Sequence, residues 1–333
     1  MRRCDFITLF GGATAGHVWW PLPAWAQQAS GARLVGVLMD YAASDQTAQS
    51  LVTAFRDTLA KLGWQEGSNL RIEVRWSAGS ADKVRTFAKE LIDLRPDAIL
   101  GRGTPETLAL SRQTQTIPIV FAAVSDPIGS GFAASLTHPG RNMTGFTNVE
   151  STVGSKWVEL LKEIAPRTTH VALLFNPATA APFQFYLPSI QAAAQSLDVK
   201  VSTAPIHAKD EIEGTIAALA RDPGGGVVVM PDTFNLTNRD LIIPQAIRSG
   251  IPVVSNNPIY GASGALITYG VDFTELLRQA AGYIDRILKG AVPADLPVQN
   301  PTKFEFLINL QTAKALGIEV PNSILLLADE VIE

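Results

Sequence analysis

Cysteine is nearly absent: the 333-residue chain has one, Cys4, close to its start. A single thiol cannot make an internal disulfide, and it excludes a cysteine zinc site. Cys4 also stands ahead of an apolar segment and not at a small-residue lipobox, so a lipid anchor is unsupported. Histidine is sparse too, at four, three of them beyond the leader. His138, His170 and His207 stand singly, in a turn, at a strand start and in a loop, without metal-ligand spacing. Charge is low, at 17% Asp, Glu, Lys and Arg against 47% apolar residues, and the formal net charge is −4. No Lys/Arg cluster reverses that sign, which argues against a nucleic-acid partner. Beyond the leader no run reaches 18 apolar residues, so no membrane span is expected. Catalytic patterns are missing as well. No G-x-S-x-G elbow occurs. Gly101 and Gly103 follow a strand, but Glu106 stands where a dinucleotide fingerprint needs a third small residue. Gly224-Gly225-Gly226 precedes its strand and cannot cradle a phosphate. These absences point away from an enzyme and give no reason for a cofactor or metal.

What is present begins with a leader. Arg2 and Arg3 form a basic region, Phe6 to Trp20 is apolar and small-residue rich, and Ala24-Trp25-Ala26 is an A-x-A cleavage site. A secretory signal over 1–26 is therefore expected, cleaved after Ala26, with the periplasm as destination. The Arg pair leaves both the Sec and twin-arginine routes open. Removing residues 1–26 takes away Arg2, Arg3 and Asp5, a net +1, so the charge of −4 becomes −5. The mature chain would hold no cysteine, which fits an oxidising compartment.

The rest is organised around Asp97 to Pro127, DAILGRGTPETLALSRQTQTIPIVFAAVSDP. A short apolar run ends in Gly-Arg-Gly. Thr104 is a good N-cap, Pro105 suits the first helical position, and Glu106 suits the helix dipole. The free N–H groups of that helix start are donors for a carboxylate or other anion. A second run, Ile117 to Val124, ends at Ser125-Asp126-Pro127 beside the first. Two such loops make half of a small-ligand crevice. GVVVMPDTF at 226–234 repeats the first pattern, and IPVVSNNPIYG at 251–261 echoes the second. The chain reads as two similar halves.

Taken in order, Arg33 to Met39 is a buried strand, and Ser44 or Asp45 caps a helix with Leu51, Phe55 and Leu59 inward. Leu70 to Trp76 alternates as a strand, and Ser80 starts a second helix. The alternation of strands and helices describes a parallel sheet covered on both faces. A second alternation starts near His170, and its strands include Val199 to Thr203, Val227 to Met230, Pro252 to Val254 and Gly264 to Tyr269. Asp272 and Glu275 form a capping-box pattern ahead of a helix ending at Gly290. Crossings between the halves are expected at Met143 to Phe146, near Asn257 to Gly264, and over Pro293 to Pro301. The fold class is α/β, two similar lobes, each a parallel doubly wound sheet. Residues 27–145 with 258–296 are expected to make lobe one, and 146–257 with 297–333 lobe two.

Several stretches carry a resemblance: the leader RRCDFITLFGGA ending in AWAQQ, then GTPE, IPIVFAAVSDP, HPGRNMTGFT and YGVDF. The block RILKGAVPADLPVQNPTKFEFLINLQTAKALGIEVPNS and the closing LLLADEVIE carry it further. With these the chain resembles the ABC-transporter substrate-binding proteins of the tryptophan/tyrosine-binding type, which have the type 1 periplasmic binding protein fold. The resemblance implies two lobes joined by three crossing strands, closing on a small molecule and docking to a membrane permease. It implies a monomer that spans no membrane, in the importer's service or presenting its ligand to a receptor as a sensor. It places ligand contacts at Asp40, Tyr41, Thr104, Ser125 and Asp126 on lobe one, and at Asn176, Asp232 and Asn256 on lobe two. Thr104 and Ser125 would then hold a carboxylate, as in an amino acid or aromatic acid, and Asp232 an ammonium. The loop MDYAASD departs from the small Gly/Ser-rich loop common in that family. Each residue also has a plainer reading: Thr104 as a cap, Ser125-Asp126 and Asn176-Pro177 as turns, and Asp232 as a cap where Thr237 with Asp240 offers a better pair. Tyr41, Phe183, Tyr186, Tyr260 and Tyr269 are candidates for an aromatic pocket or for ordinary packing.

Overall fold

The computed structural model describes residues 31–148, 152–180, 183–222 and 224–333. The expected leader, its cleavage point after Ala26 and Cys4 lie outside the described residues.

The first lobe opens with strict alternation: β1 (Arg33–Met39), α1 (Gln46–Lys61), β2 (Leu70–Trp76), α2 (Ala81–Asp93) and β3 (Ala98–Arg102). It continues through α3 (Thr104–Gln113), β4 (Ile119–Val124) and β5 (Met143–Thr147). The five strands form one parallel sheet in the order β2-β1-β3-β4-β5. Runs such as IVFAAV are buried at every position. That is what a parallel sheet demands, because crossover helices cover both of its faces. On α1, Leu51, Phe55 and Leu59 are buried one turn apart, and Asp45 caps the helix by accepting the Ala48 N–H at 3.1 Å.

The second lobe begins with α4 (Val153–Ile164), β6 (His170–Phe175), α5 (Phe183–Ser196), β7 (Lys200–Pro205), α6 (Ile212–Leu219) and β8 (Gly225–Val229). There follow α7 (Thr233–Thr237), α8 (Arg239–Arg248), β9 (Val253–Ser255), α9 (Ile259–Ala262) and β10 (Ile267–Val271). After α10 (Phe273–Leu288) the chain ends with β11 (Phe304–Asn309), α11 (Leu310–Ala315), α12 (Asn322–Leu325) and β12 (Glu330–Ile332). This sheet has seven strands in the order β12-β11-β10-β9-β8-β6-β7, parallel except where β10 meets β11. The architecture is α/β in two lobes, as the alternation implied.

Helix α10 ties the lobes together. Its residues Leu276, Leu277, Ala280, Ile284 and Ile287 are buried, and they pack against α1 and the β3 and β4 strands of the first lobe. Each fully buried Leu or Ile contributes about 1.5–3 kcal/mol. Asp272 caps α10 by accepting the Glu275 N–H at 2.9 Å, so the chain passes from the second sheet into the first lobe within one residue of β10. It then returns along β5, where the Thr147 N–H donates to Gln299 at 2.9 Å and Gln299 donates to Gly145 at 2.9 Å, before entering β11.

These bonds move three expected boundaries. Met143–Thr147 is a strand of the first sheet and not a crossing, because it pairs with β4. The segment near Asn257 to Gly264 holds α9, which packs on β10 and β11 inside the second lobe. Residues 258–271, expected with lobe one, sit with the second sheet: Ala265, Leu266 and Ile267 are fully buried, and β10 pairs with β9. The crossing lies instead at Asp272.

In the first sheet the strand order reverses between β1 and β3, and in the second between β6 and β8. Ligand crevices of open α/β sheets form outside the strand carboxyl ends at such switch points. Asp40 and Arg102 stand at the first, Asn176 and Asp232 at the second.

Candidate functional site

At the first switch point β3 ends in Arg102, a side chain only 2% exposed. Its Nη1 lies 2.5 and 2.6 Å from the two oxygens of Asp40, and its Nη2 donates to the Tyr41 hydroxyl at 3.1 Å. The guanidinium lies over the Tyr41 ring at 4.5 Å and the Phe273 ring at 4.8 Å. Burial pushes the Asp40 carboxyl up, and the adjacent Arg102 charge opposes that shift. Burial also disfavours the Arg102 cation, but Asp40 and Tyr41 outweigh it and raise its pKa.

The loop after Arg102 turns at Gly103, whose φ of +95° belongs to the left-handed region. A Cβ there would meet Glu106 Oε2 at 2.6 Å. Gly103, and not Thr104, holds the cap position of α3. Thr104 is thereby the first helical residue, and its hydroxyl is not spent on capping. Pro105 lacks an N–H, which leaves Thr104 and Glu106 as the first-turn donors. Glu106 sits in the first turn of α3, where an acid suits the helix dipole. It is fully buried, accepting from Ser77 Oγ at 2.8 Å while Oε2 has no partner, and burial reinforced by Asp40 pushes its pKa up to about 8.

The second-lobe wall is built by Asp232. One oxygen accepts the Asn176 N–H at 2.6 Å, and the other accepts the Thr179 hydroxyl and the Phe234 N–H, the latter at 2.9 Å. Three of the carboxylate's roughly four acceptor sites are thus filled. Burial pushes its pKa up to about 6, against these donors. Asp232 is the cap of α7, whereas the Thr237 and Asp240 pair is used elsewhere: Thr237 donates to the Thr233 carbonyl at 2.9 Å and Asp240 accepts from Ser263 at 2.7 Å. The α8 cap falls to Asn238.

The two walls face each other across a cavity of about 60 Å³. Thr104, Ala123, Ser125 and Asn148 line it from the first lobe and the crossing, Thr179, Asp232, Asn256 and Tyr260 from the second. The buried Asn148 Oδ1 and Thr233 Oγ1 beside it have no partner within the protein. Buried polar atoms are almost always paired, so such atoms facing a cavity mark where a polar ligand would bond.

The lobes also touch directly. Arg239 Nη2 meets Asp45 Oδ2 at 2.5 Å, with side chains 15% and 7% exposed. Asn257 Nδ2 donates to the Tyr41 hydroxyl at 3.4 Å. Gly79, at φ +69°, lies so close to α7 that a Cβ would meet Thr237 Oγ1 at 2.8 Å and the Thr233 carbonyl at 3.0 Å. These contacts hold the lobes in a closed arrangement.

Of the residues expected at the site, Asp40, Thr104, Ser125, Asp232 and Asn256 line the cavity together. The other three do not. Tyr41 lies behind Arg102, and Asp126 accepts the Gly129 N–H at 2.7 Å within its turn. Asn176 closes the turn after β6, accepting the Ala178 N–H at 2.8 Å, and buttresses Asp232 through its own N–H. Among the candidate aromatics only Tyr260 reaches the cavity. Phe183 stacks on Phe175 at 4.1 Å, Tyr186 packs on Trp157 at 5.3 Å and Tyr269 stacks on Phe304 at 5.8 Å. Sequence reasoning missed Arg102, Asn148, Thr179, Asn257 and Phe273. Arg102 carried a signal: a lone cation ending an otherwise apolar strand, opposite the acid that ends β1.

Residues 38–332 match the family model described as ABC transporter substrate binding protein. The chain belongs to this family. ABC substrate-binding proteins capture solutes and are not enzymes. This one is 24% identical over 286 residues to a tyrosine-binding protein of Clostridioides difficile, covering 86% of this chain and 80% of that protein. A Streptococcus pneumoniae ABC domain solved in complex with L-Trp superposes with a TM-score of 0.83 at 26% identity, over 90% of this chain and 100% of that one. A conserved domain protein from Vibrio cholerae gives 0.83 at 27%, over 90% and 99%. In the substrate-binding protein described here no helix of the described residues is long and apolar enough to cross a membrane.

Proposed function

We propose that this protein is the exported solute-binding component of an ABC importer, and that its cleft captures a small carboxylate-bearing ligand, an amino acid or an aromatic acid. The observation that carries this is the opposition of Thr104 and Ser125 on one lobe to Asp232 on the other across a single cavity. The hydroxyls and the α3 N–H groups receive the carboxylate, and Asp232 receives the ammonium through its unfilled acceptor site. With its pKa pushed up to about 6, Asp232 is anionic at neutral pH, as that role needs. Asn256 adds an amide, Asn176 steadies Asp232, Asp126 shapes the turn that presents Ser125, and Asp40 with Tyr41 fixes Arg102. Amino acids are also what the names of two relatives give as ligands.

Residues 1–26 direct export to the periplasm and are removed after Ala26, and the mature monomer docks to a membrane permease. Capture works by population shift: ligand contacts made only with the lobes together favour the closed form. A thermal-shift screen of the chain from Gln27 against amino acids, aromatic acids, small dicarboxylates, sugars and nucleosides tests the reading. A ligand at 100 times its dissociation constant adds about 2.7 kcal/mol, readily seen as a raised midpoint. Shifts among carboxylates are expected. Shifts with sugars or nucleosides alone would remove the roles given to Thr104, Ser125 and Asp232.

A further inference from the structure

Ser125 lines the cavity at the end of β4, and two buried polar groups close to it have no partner among the described residues. One is Asn148 Oδ1, on the residue whose N–H donates to the Val124 carbonyl at 3.1 Å. The other comes from the opposite lobe. Tyr186, on α5, is fully buried, and its hydroxyl meets no group at hydrogen-bond distance. Its ring is held on two sides, tilted against Trp157 at 5.3 Å and edge-on to Phe185 at 5.2 Å. Its backbone is held as well, because a Cβ on Gly154 in the first turn of α4 would meet the Tyr186 carbonyl at 3.1 Å. This packing fixes where the hydroxyl points, which is across the lobe boundary. Burial raises the Tyr186 pKa, the Ser125 side chain opposes that shift and the Asp126 charge adds to it, so both first-lobe residues lie near the phenol oxygen.

Buried polar atoms are almost always paired, and two exceptions beside one cleft residue point to bonds made only when the site is filled. A serine hydroxyl is one donor and two acceptor lone pairs. When Ser125 donates its proton to a carboxylate, its lone pairs remain for a second donor, and the Tyr186 O–H is the donor at hand. Hydrogen bonds in such a series polarise one another and strengthen.

We propose that Tyr186 is a positioning residue of the cleft: its hydroxyl donates to Ser125 once Ser125 has turned to a ligand carboxylate, and so ties the seated carboxylate to the opposite lobe. The inference rests on the carboxylate reading above. Tyr186 stays behind Ser125 and does not touch the ligand. The second lobe thereby holds both ends of an amino acid, the ammonium through Asp232 and the carboxylate through Ser125.

The test compares Y186F, S125A and the double variant with the parent. Each is titrated calorimetrically with L-tyrosine, L-tryptophan, L-alanine, L-serine and benzoate as probes, and melted without ligand. Phenylalanine keeps the ring against Trp157 and Phe185 and removes only the hydroxyl. Y186F is expected to weaken the tightest probe about three- to tenfold, the range of a neutral hydrogen bond. The melting midpoint of the free protein is expected to hold or rise, because the hydroxyl removed is unpaired there. S125A is expected to weaken binding at least tenfold, with no further loss in the double variant. A hydroxyl with a merely structural role would give the opposite pattern, a lowered midpoint with Kd unchanged. A lowered midpoint, an unchanged Kd in Y186F, or two effects that simply add each overturns the role of Tyr186 while leaving the carboxylate reading in place. If probes bind S125A as tightly as the parent, the role of Ser125 falls and takes that of Tyr186 with it. If none of the five binds the parent, the carboxylate reading itself fails, and the inference with it.

Discussion

The ion pair between Asp45 and Arg239 joins residues of opposite lobes, and removing it isolates the energetics of closure. Asp45 does two jobs: Oδ1 caps α1, and Oδ2 meets Arg239 at 2.5 Å. Asp45→Asn keeps the capping oxygen, since asparagine is as good an N-cap as aspartate, and removes only the charge. Arg239→Gln removes the other partner. Exposed pairs are worth about 0–1 kcal/mol and hydrogen bonds to charged groups about 1.5–3. With side chains 7% and 15% exposed this pair falls between, at about 1.5 kcal/mol. In a free protein that is mostly open, a contact present only in the closed form changes the closed population by its full value, and apparent affinity scales with that population. Each variant should therefore raise Kd about tenfold, with little change in the melting midpoint of the free protein. Isothermal titration of D45N, R239Q and the double variant forms a mutant cycle, and small-angle scattering reports the open fraction. If the cycle shows no coupling, or if the singles bind as tightly as the parent, the pair is not a clasp.

Other outcomes follow from the same geometry. Asp232→Ala should weaken binding of a zwitterionic ligand by about 2–5 kcal/mol, the cost of leaving a buried charge unpaired, and titration calorimetry reads it directly. Glu106 should make stability fall with rising pH. Its folded pKa of about 8 lies above the ordinary 4.5, so the folded state holds a proton that the unfolded state has lost across that window, and stability declines from about pH 5 to pH 8. Glu106→Gln should flatten that decline in thermal melts, and a parent whose midpoint rises over the same range would refute the assignment. Gly79→Ala places a methyl 2.8 Å from Thr237 Oγ1 at a left-handed backbone position. It should cost about 1 kcal/mol in the melt and also weaken ligand binding, which a purely local strain would not do.

The lobes were readable in advance because both faces of these sheets are covered. Runs such as IVFAAV and GVVVM have no polar alternation to blur them, and Asp45, Ser80 and Asp272 mark helix starts by local chemistry that the fold keeps. Crossings were harder. β5 and a crossing segment are both short and extended, and only the pairing with β4 separates them. The same limit applied to β10, whose lobe is decided by its partner β9. At the site, polar residues closing a strand point to Thr104, Ser125 and Asp232 and the family resemblance to Asp40, and all four line the cavity. The neighbours they act with were not visible, since Arg102 meets Asp40 across 62 positions and Asn257 meets Tyr41 across 216. Glu106 falls in the first turn of α3, as its position implies, but its burial against Ser77, 29 positions away, was not visible in the sequence.

The late arrival of α10 has a consequence for how the chain is made. Synthesis delivers the five strands of the first sheet by Thr147, yet the helix that packs on β3, β4 and α1 emerges only at residues 273–288. For well over a hundred residues of translation the first sheet has a bare apolar flank, and the whole second Rossmann-like unit must be produced in between. A fragment stopped at Val271 should be insoluble, because exposed apolar surface of that kind drives aggregation. The nascent chain therefore lacks the cover of its first sheet until nearly its last fifty residues are made.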